Sequence, residues 1–142
     1  MGMSTSIYWG GVHKRAELRL AGGEVVVADV CLLDTGAIDE DYVSTEFIRK
    51  NYDVFKKYLV RDRSVVRLAD NKTLVELPGY VDVQLVFTDH LGVDHPGGSR
   101  LRVLSDGAKD LIVGLKSICS KFFEFFWTFQ VEYSLFQAKL IN

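Results

Sequence analysis

Between residues 14 and 20 the chain alternates, with Ala16, Leu18 and Leu20 falling on one side and Arg15, Glu17 and Arg19 on the other. A period of two over a short stretch predicts a half-buried strand. AGG at 21–23 reads as a turn. EVVVADVCLL at 24–33 is β-branched and mostly apolar, which predicts a second strand with both faces buried at its end. The two form a hairpin that delivers Asp34. Ser44 or Thr45 is placed to cap a short helix over TEFIRKNY, and 53–62 carries no decisive period. SVVRLA (64–69), DNK (70–72) and TLVEL (73–77) read as strand, turn and return strand. YVDVQLVF (80–87) is a third long strand, TDHLGVDHPGGS (88–99) a polar loop, and RLRVLS (100–105) a further strand. DLIVGLKSI (110–118) is a buried strand that ends at Gly114 and passes into a short helix. In the tail, Phe125, Trp127, Phe129, Val131, Tyr133 and Leu135 occupy alternate positions, which predicts a strand. No internal repeat stands out. Many short strands with one or two short helices give an all-β fold class, a small β-rich barrel.

Composition narrows the function classes. The chain has 142 residues, the size of one domain, and 48% of them are apolar, enough for a substantial core. A net charge of −2 with no basic stripe argues against nucleic-acid binding. No apolar run reaches the roughly 18 residues of a membrane span, and the N-terminus lacks a signal-peptide core. MGMSTS does fit the short and common N-myristoylation pattern through Gly2 and Ser6. Cys31 and Cys119 make neither a disulfide framework nor a paired ligand spacing. Both sit in apolar runs, so two buried thiols and a reducing, cytoplasmic setting are expected. His90 and His95 with Asp89 and Asp94 lie in a Pro-Gly loop at a spacing that does not make a metal site, and an exposed turn is expected there.

The chemistry concentrates in CLLDTGA at 31–37. Two carboxylates held close cannot both ionise, so they share one proton, one acting as base and the other as acid. Such a pair activates water and protonates a peptide carbonyl. Each acid needs a rigid strand end, a neighbouring hydroxyl to fix the loop, and a glycine that lets backbone and substrate approach. D-T-G alone is a weak signal. Its context is a hairpin, LLDTGA, a short helix, a second hairpin and a late apolar strand ending in glycine about eighty residues on. From Ala16 to Ile118 that order resembles the retropepsin-like aspartic proteases, those of retroelements and their cellular relatives above all. CLLDTGA, VVRLADNKTLVELPGYVDVQL and DLIVGLKSI carry the resemblance.

The resemblance implies a role for each residue. Asp34 is expected to be the catalytic acid, with Thr35 clasping its counterpart in a second subunit beneath the site. Gly36 and Ala37 are expected to line the cleft, continued by Ile38 and Asp39. A flap over 66–77, with its tip at Asp70, Asn71 and Lys72, is expected to close over substrate. Gly114, followed by Leu115, is expected to let the late strand pass close to the DTG loop. There is a single DTG in the chain. Asp106 is followed by Gly-Ala but lacks the apolar strand end and the hydroxyl residue. The second acid must therefore come from a second copy, which implies a homodimer with a two-fold axis between the two Asp34 side chains. The implied activity is an aspartic endopeptidase without metal or cofactor, acting on a peptide or on a retroelement polyprotein.

The expected organisation is an N-terminal segment over 1–12, a protease domain over 13–121, and a tail over 122–142 whose strand joins the dimer interface. Two features depart from the family's pattern. Retroviral members often pair an Asp after DTGA with an Arg after the late glycine. Here those places hold Ile38 and Leu115, for which an apolar contact is the expected substitute. The flap lacks the usual glycine-rich tip, since LADNKTLVELPG has no glycine until Gly79. Asp39, Glu40 and Asp41 form an acidic run near the cleft, expected to be a solvated loop or a subsite for basic side chains. The competing reading keeps the fold but not the chemistry, as a dimerisation or peptide-binding module.

Overall fold

The computed structural model describes residues 12–67, 74–105 and 109–128. Seven strands run in the order β1 (Val12–Arg19), β2 (Val25–Asp34), β3 (Asp41–Ser44), β4 (Val60–Arg67), β5 (Leu74–Thr88), β6 (Asp94–Leu104) and β7 (Leu111–Gly114). Short helices α1 (Thr45–Lys50) and α2 (Tyr52–Phe55) lie between β3 and β4, α3 (Leu115–Ser120) follows β7, and 123–128 are helical as well. Their spatial order is β1-β2-β7-β3-β6-β5-β4, and β1 also pairs with β5. That extra pairing closes six strands into a barrel and leaves β4 attached outside it, paired with β5. The β-rich barrel expected from the alternating patterns is therefore present.

Period-two residues fill the barrel. Ala16, Leu18, Val26, Ala28, Cys31, Leu33, Val81 and Leu85 are buried, while Arg15, Arg19, Val27 and Asp82 face outward. The β1–β2 turn is built as its residues require, with Gly23 at φ 94°, a conformation that strains any side chain. Ser44 caps α1 by accepting the Phe47 N–H at 3.0 Å.

One relation went unnoticed in the sequence. β3 followed by α1 and β7 followed by α3 repeat each other at a spacing of 70 residues, 41 to 111 and 45 to 115, with the same alternation of buried positions. β2 lies parallel to β7, β6 lies parallel to β3, and Tyr42 pairs with its own counterpart Ile112. An approximate two-fold axis thus runs through the middle of the chain. The residue types differ almost everywhere between the two copies, so only the geometry exposes the repeat.

Four further expectations are corrected. The strands read separately at 73–77 and 80–87 are one strand, β5, 15 residues long. Pro78 does not break it, because the β4–β5 register shifts between Arg61 and Ser64 and the bulge leaves proline's missing N–H without a partner to lose. The polar loop at 88–99 shrinks to a turn, since Asp94–Ser99 already belongs to β6 and pairs with β5. Pro96 stands where β6 has β5 alone beside it, and a Cβ on Gly97 would strike the Phe122 ring at 2.7 Å. The tail strand is absent over its first residues, as 123–128 are helical. Phe122, Phe125 and Phe126 fall at helical spacing, and the rings of Phe122 and Phe125 both sit 4.9 Å from Phe87. Burial of that face overrides the period of two, whose members include Trp127 at 60% exposure. Finally, Cys31 is buried as expected, but Cys119 is exposed. The rest of the tail strand (129–135) and Gly2 lie outside the described residues.

One surface cluster ties the β1–β2 turn to the segment after α2. The Tyr58 hydroxyl donates to the Glu24 carboxylate at 2.8 Å and accepts from the Gly22 N–H, and Lys57 Nζ lies 2.7 Å from the same carboxylate. The Lys57 and Tyr58 hydrogen bonds lower Glu24 from its ordinary 4.5 to about 2. A carboxyl lowered on folding contributes stability above its unfolded value and loses it as the pH falls towards its folded value. Stability is therefore expected to fall from about pH 4.5 towards pH 2, and Glu24→Gln to flatten that slope in urea titrations across the range.

Candidate active site

β2 carries the chain to Asp34, and the sheet register sets Asp34 directly beside Gly114 at the end of β7. The Gly36 N–H donates to Asp34 Oδ1 at 2.8 Å and the Ala37 N–H to the Asp34 carbonyl at 3.2 Å, which folds 34–37 into a tight turn. Asp34 and Thr35 are half-buried, Gly36 is exposed and Ala37 is half-buried. The turn is fastened to the β7–α3 junction by main-chain bonds from Leu115 N to the Ala37 carbonyl at 2.6 Å and from Lys116 N to the Ile38 carbonyl at 3.2 Å. Gly114 is glycine for a steric reason. A Cβ there would lie 2.5 Å from the carbonyl oxygens of both Ala37 and Glu40. The close passage expected of this residue is thus present. Ile38 is 65% exposed, and the hydrogen bonds that fasten its loop to the start of α3 are main-chain ones.

The acidic run divides into three different environments. Asp39 is exposed, and Glu40 is half-buried with Oε2 3.7 Å from Arg102 Nε. Asp41 is buried, which corrects the expectation of a solvated loop. It starts β3 on the core side, two residues before buried Val43. Its Oδ1 accepts the Gly114 N–H at 2.8 Å, and its Oδ2 accepts the hydroxyls of Ser99 at 2.5 Å and Ser117 at 2.6 Å. One carboxylate thus joins β3, β6, β7 and α3, and it bonds the Gly114 that pairs with Asp34. Like-charge repulsion from the run falls on Tyr42, whose phenol is raised first by burial and then by Glu40, Asp39 and Asp41. Burial likewise pushes the Cys31 thiol up, helped by Asp41 and Asp110, so this thiol stays protonated.

Strand alternation puts Leu32 on the same side as Asp34. Across the sheet from Leu32 the register continues through Ile112, Tyr42, Arg102 and Tyr80, all of them half-buried. This row forms the floor beside the acid. It was missed in the sequence, although Leu32 and Ile112 each stand two residues before the turn residues Asp34 and Gly114, a period that would have found them. The two-fold relation also gives the counterpart of Asp34, which is Leu104. The second half of the chain therefore brings no carboxylate to the equivalent place.

Other residues lie elsewhere. Asp70, Asn71 and Lys72 of the expected flap tip, and Asp106, lie outside the described residues. Of the stretch 66–77, Val66 and Arg67 pair with Val75 and Leu74 in the β4–β5 hairpin, and further along the hairpin a Cβ on Gly79 would run into the Val60 carbonyl. Asp89 and His95 form a pair at 2.8 Å, and Asp89 Oδ1 also accepts the Leu91 and Val93 N–H groups. His95 holds the Asp89 carboxyl below its ordinary range. No group of three or more potential metal ligands gathers among the described residues. A groove of about 800 Å³ lies between α1, α2 and the hairpin base, lined by Ile48, Tyr52, Val60 and Pro78, and it does not include Asp34. No described helix is long and apolar enough to cross a membrane. No protein-family model matches the chain and no curated protein matches it in sequence.

Proposed function

We propose that this chain is one half of an aspartic endopeptidase of the retropepsin-like kind, completed by a second copy. The observation that carries the reading is the junction of two loops. The DTGA turn holds Asp34 against Gly114, and two main-chain bonds lock the turn to the start of α3. Such a lock gives the carboxylate a fixed position and leaves one face of it to meet another group. The counterpart of Asp34 within the chain is Leu104, which supports a second subunit as the source of the second acid.

In the dimer two Asp34 carboxyls share one proton. A water held between them loses a proton to the ionised carboxyl as it attacks the peptide carbonyl. The protonated carboxyl donates to the carbonyl oxygen; the resulting tetrahedral diol collapses as the carboxyl that took the water proton gives it to the leaving amine and the other carboxylate takes a hydroxyl proton back, which restores the shared proton. The two acids titrate as a pair, so activity follows a bell-shaped pH profile. The substrate is an extended peptide, with the polyprotein of a retroelement as its natural form. Two cysteines that form no disulfide fit a reducing, cytoplasmic compartment.

The test is a mixed peptide pool incubated with the purified protein at about pH 4 to 7. Cleavage is expected, with specific activity rising with protein concentration until the dimer is saturated. A folded dimer that cleaves nothing would overturn the peptidase and leave a dimerisation or peptide-binding module.

A further inference from the structure

We propose that Arg102 is a positioning residue that couples the base of the β4–β5 hairpin to the loop carrying Asp34, and that its contact with Glu40 tightens when a peptide lies across the site. The proposal rests on the peptidase reading of Asp34. Arg102 stands in the row beside the acid, between Tyr42 and Tyr80. Its side chain is only 15% exposed, and it reaches a carboxylate on each side. NH1 lies 3.2 Å from Asp62 Oδ2, in the bulge of β4 where the hairpin bends. Nε lies 3.7 Å from Glu40 Oε2, at the end of the loop that begins with Asp34. The guanidinium carbon is 5.0 Å from the centre of the Tyr80 ring, a cation–π contact with the same row.

The Nε–H is the unfinished part. It is buried and has no hydrogen-bond partner among the described residues. A buried donor left unmade is costly, and a charged one more so. The remedy is near, because 3.7 Å is ion-pair reach but too long for a hydrogen bond. Glu40 is a partly exposed loop residue, and a shift of less than about 1 Å would complete the bond. A peptide bound along the Asp34 face lies over this row, between the loop and the hairpin, and presses the two together. The new hydrogen bond then favours the arrangement in which the DTGA turn is seated. A guanidinium can serve both carboxylates at once through its fork, whereas an ammonium serves one.

The experiment uses a peptide that the wild-type protein cleaves and the variants Arg102→Gln, Arg102→Lys, Glu40→Gln and Arg102→Gln with Glu40→Gln. Exposed Arg49→Gln is the control. Each single change to Gln is expected to lower kcat/KM about tenfold, mainly through kcat. The double variant should be no worse than the poorer single one, and Lys should recover only part of the loss. Urea unfolding of free Glu40→Gln should fall short of the wild type only by the small loss of a long ion pair, because the charge-assisted hydrogen bond that the change weakens forms only with peptide bound. Unchanged kcat/KM in the single variants, or losses that multiply in the double variant, would overturn the coupling while leaving the peptidase standing. A wild-type protein that cleaves nothing would remove both.

Discussion

An Asp34→Asn variant is expected to fold, to dimerise and to cleave nothing. Asparagine keeps an oxygen where Asp34 Oδ1 accepts the Gly36 N–H, so the turn over 34–37 survives the change. It removes the ability to hold or release a proton, and with it the shared-proton pair. The loss in kcat/KM should be at least about 10³-fold. Mixing gives a sharper result than the variant alone. If both acids are needed, a heterodimer of wild-type and variant chains is inactive. An equal mixture at fixed total protein should then retain about one quarter of the wild-type activity rather than half. Retention of half would mean that each chain works by itself, and Leu104 at the place equivalent to Asp34 would then need another explanation. Peptide cleavage assays after re-equilibration of the mixed chains decide between the two values.

The barrel was legible because its strands obey a period of two wherever one face is wet. Ala16, Leu18 and Leu20 gave the first strand, and the run to Leu33 gave the second, as built. The failures have separate physical causes. The strand expected to end at 77 runs on through Pro78 and the loop expected at 88–99 is strand from Asp94 through Pro96, because a bulge and a strand flanked on one side only absorb the N–H that proline lacks. The helix over 123–128 was read as a strand because Phe125 and Trp127 alternate, yet tertiary packing of Phe122 and Phe125 on Phe87 decided the outcome. At the site, Asp34, Gly36, Ala37 and Gly114 were legible from the turn and the glycine. Tyr42, Arg102 and Tyr80 were not, since their neighbourhood depends on the register of strands far apart in sequence. Asp41 looked like one of three solvated acids. What separates it from Asp39 and Glu40 is the place where β3 begins, which turns it towards the core.

That placement makes Asp41→Ala the most damaging single change expected in the described fold. Alanine removes the acceptor of three hydrogen bonds at once. It leaves the Gly114 N–H and the hydroxyls of Ser99 and Ser117 in a buried site. Each unsatisfied group costs about 1–3 kcal/mol. The hydroxyls can turn towards other acceptors, so a total of about 3–5 kcal/mol is expected. Against a domain stability of about 5–15 kcal/mol this is a large share, and the melting temperature should fall by roughly 10–20 °C. Asp41→Asn separates stability from positioning. Its oxygen keeps the Gly114 N–H, and its amide donates to a serine hydroxyl that turns round to accept. The stability cost should drop to about 1–2 kcal/mol. Gly114 is the residue that the sheet sets beside Asp34, so a slackened group at 41 shifts the turn over 34–37 before it unfolds the barrel. Asp41→Asn should therefore lose more activity than a 1–2 kcal/mol loss of stability explains at a temperature where it is fully folded. Urea unfolding and peptide cleavage on the same preparations check both parts. An Asp41→Ala protein as stable as the wild type would show that this carboxylate does not hold the two halves of the site together.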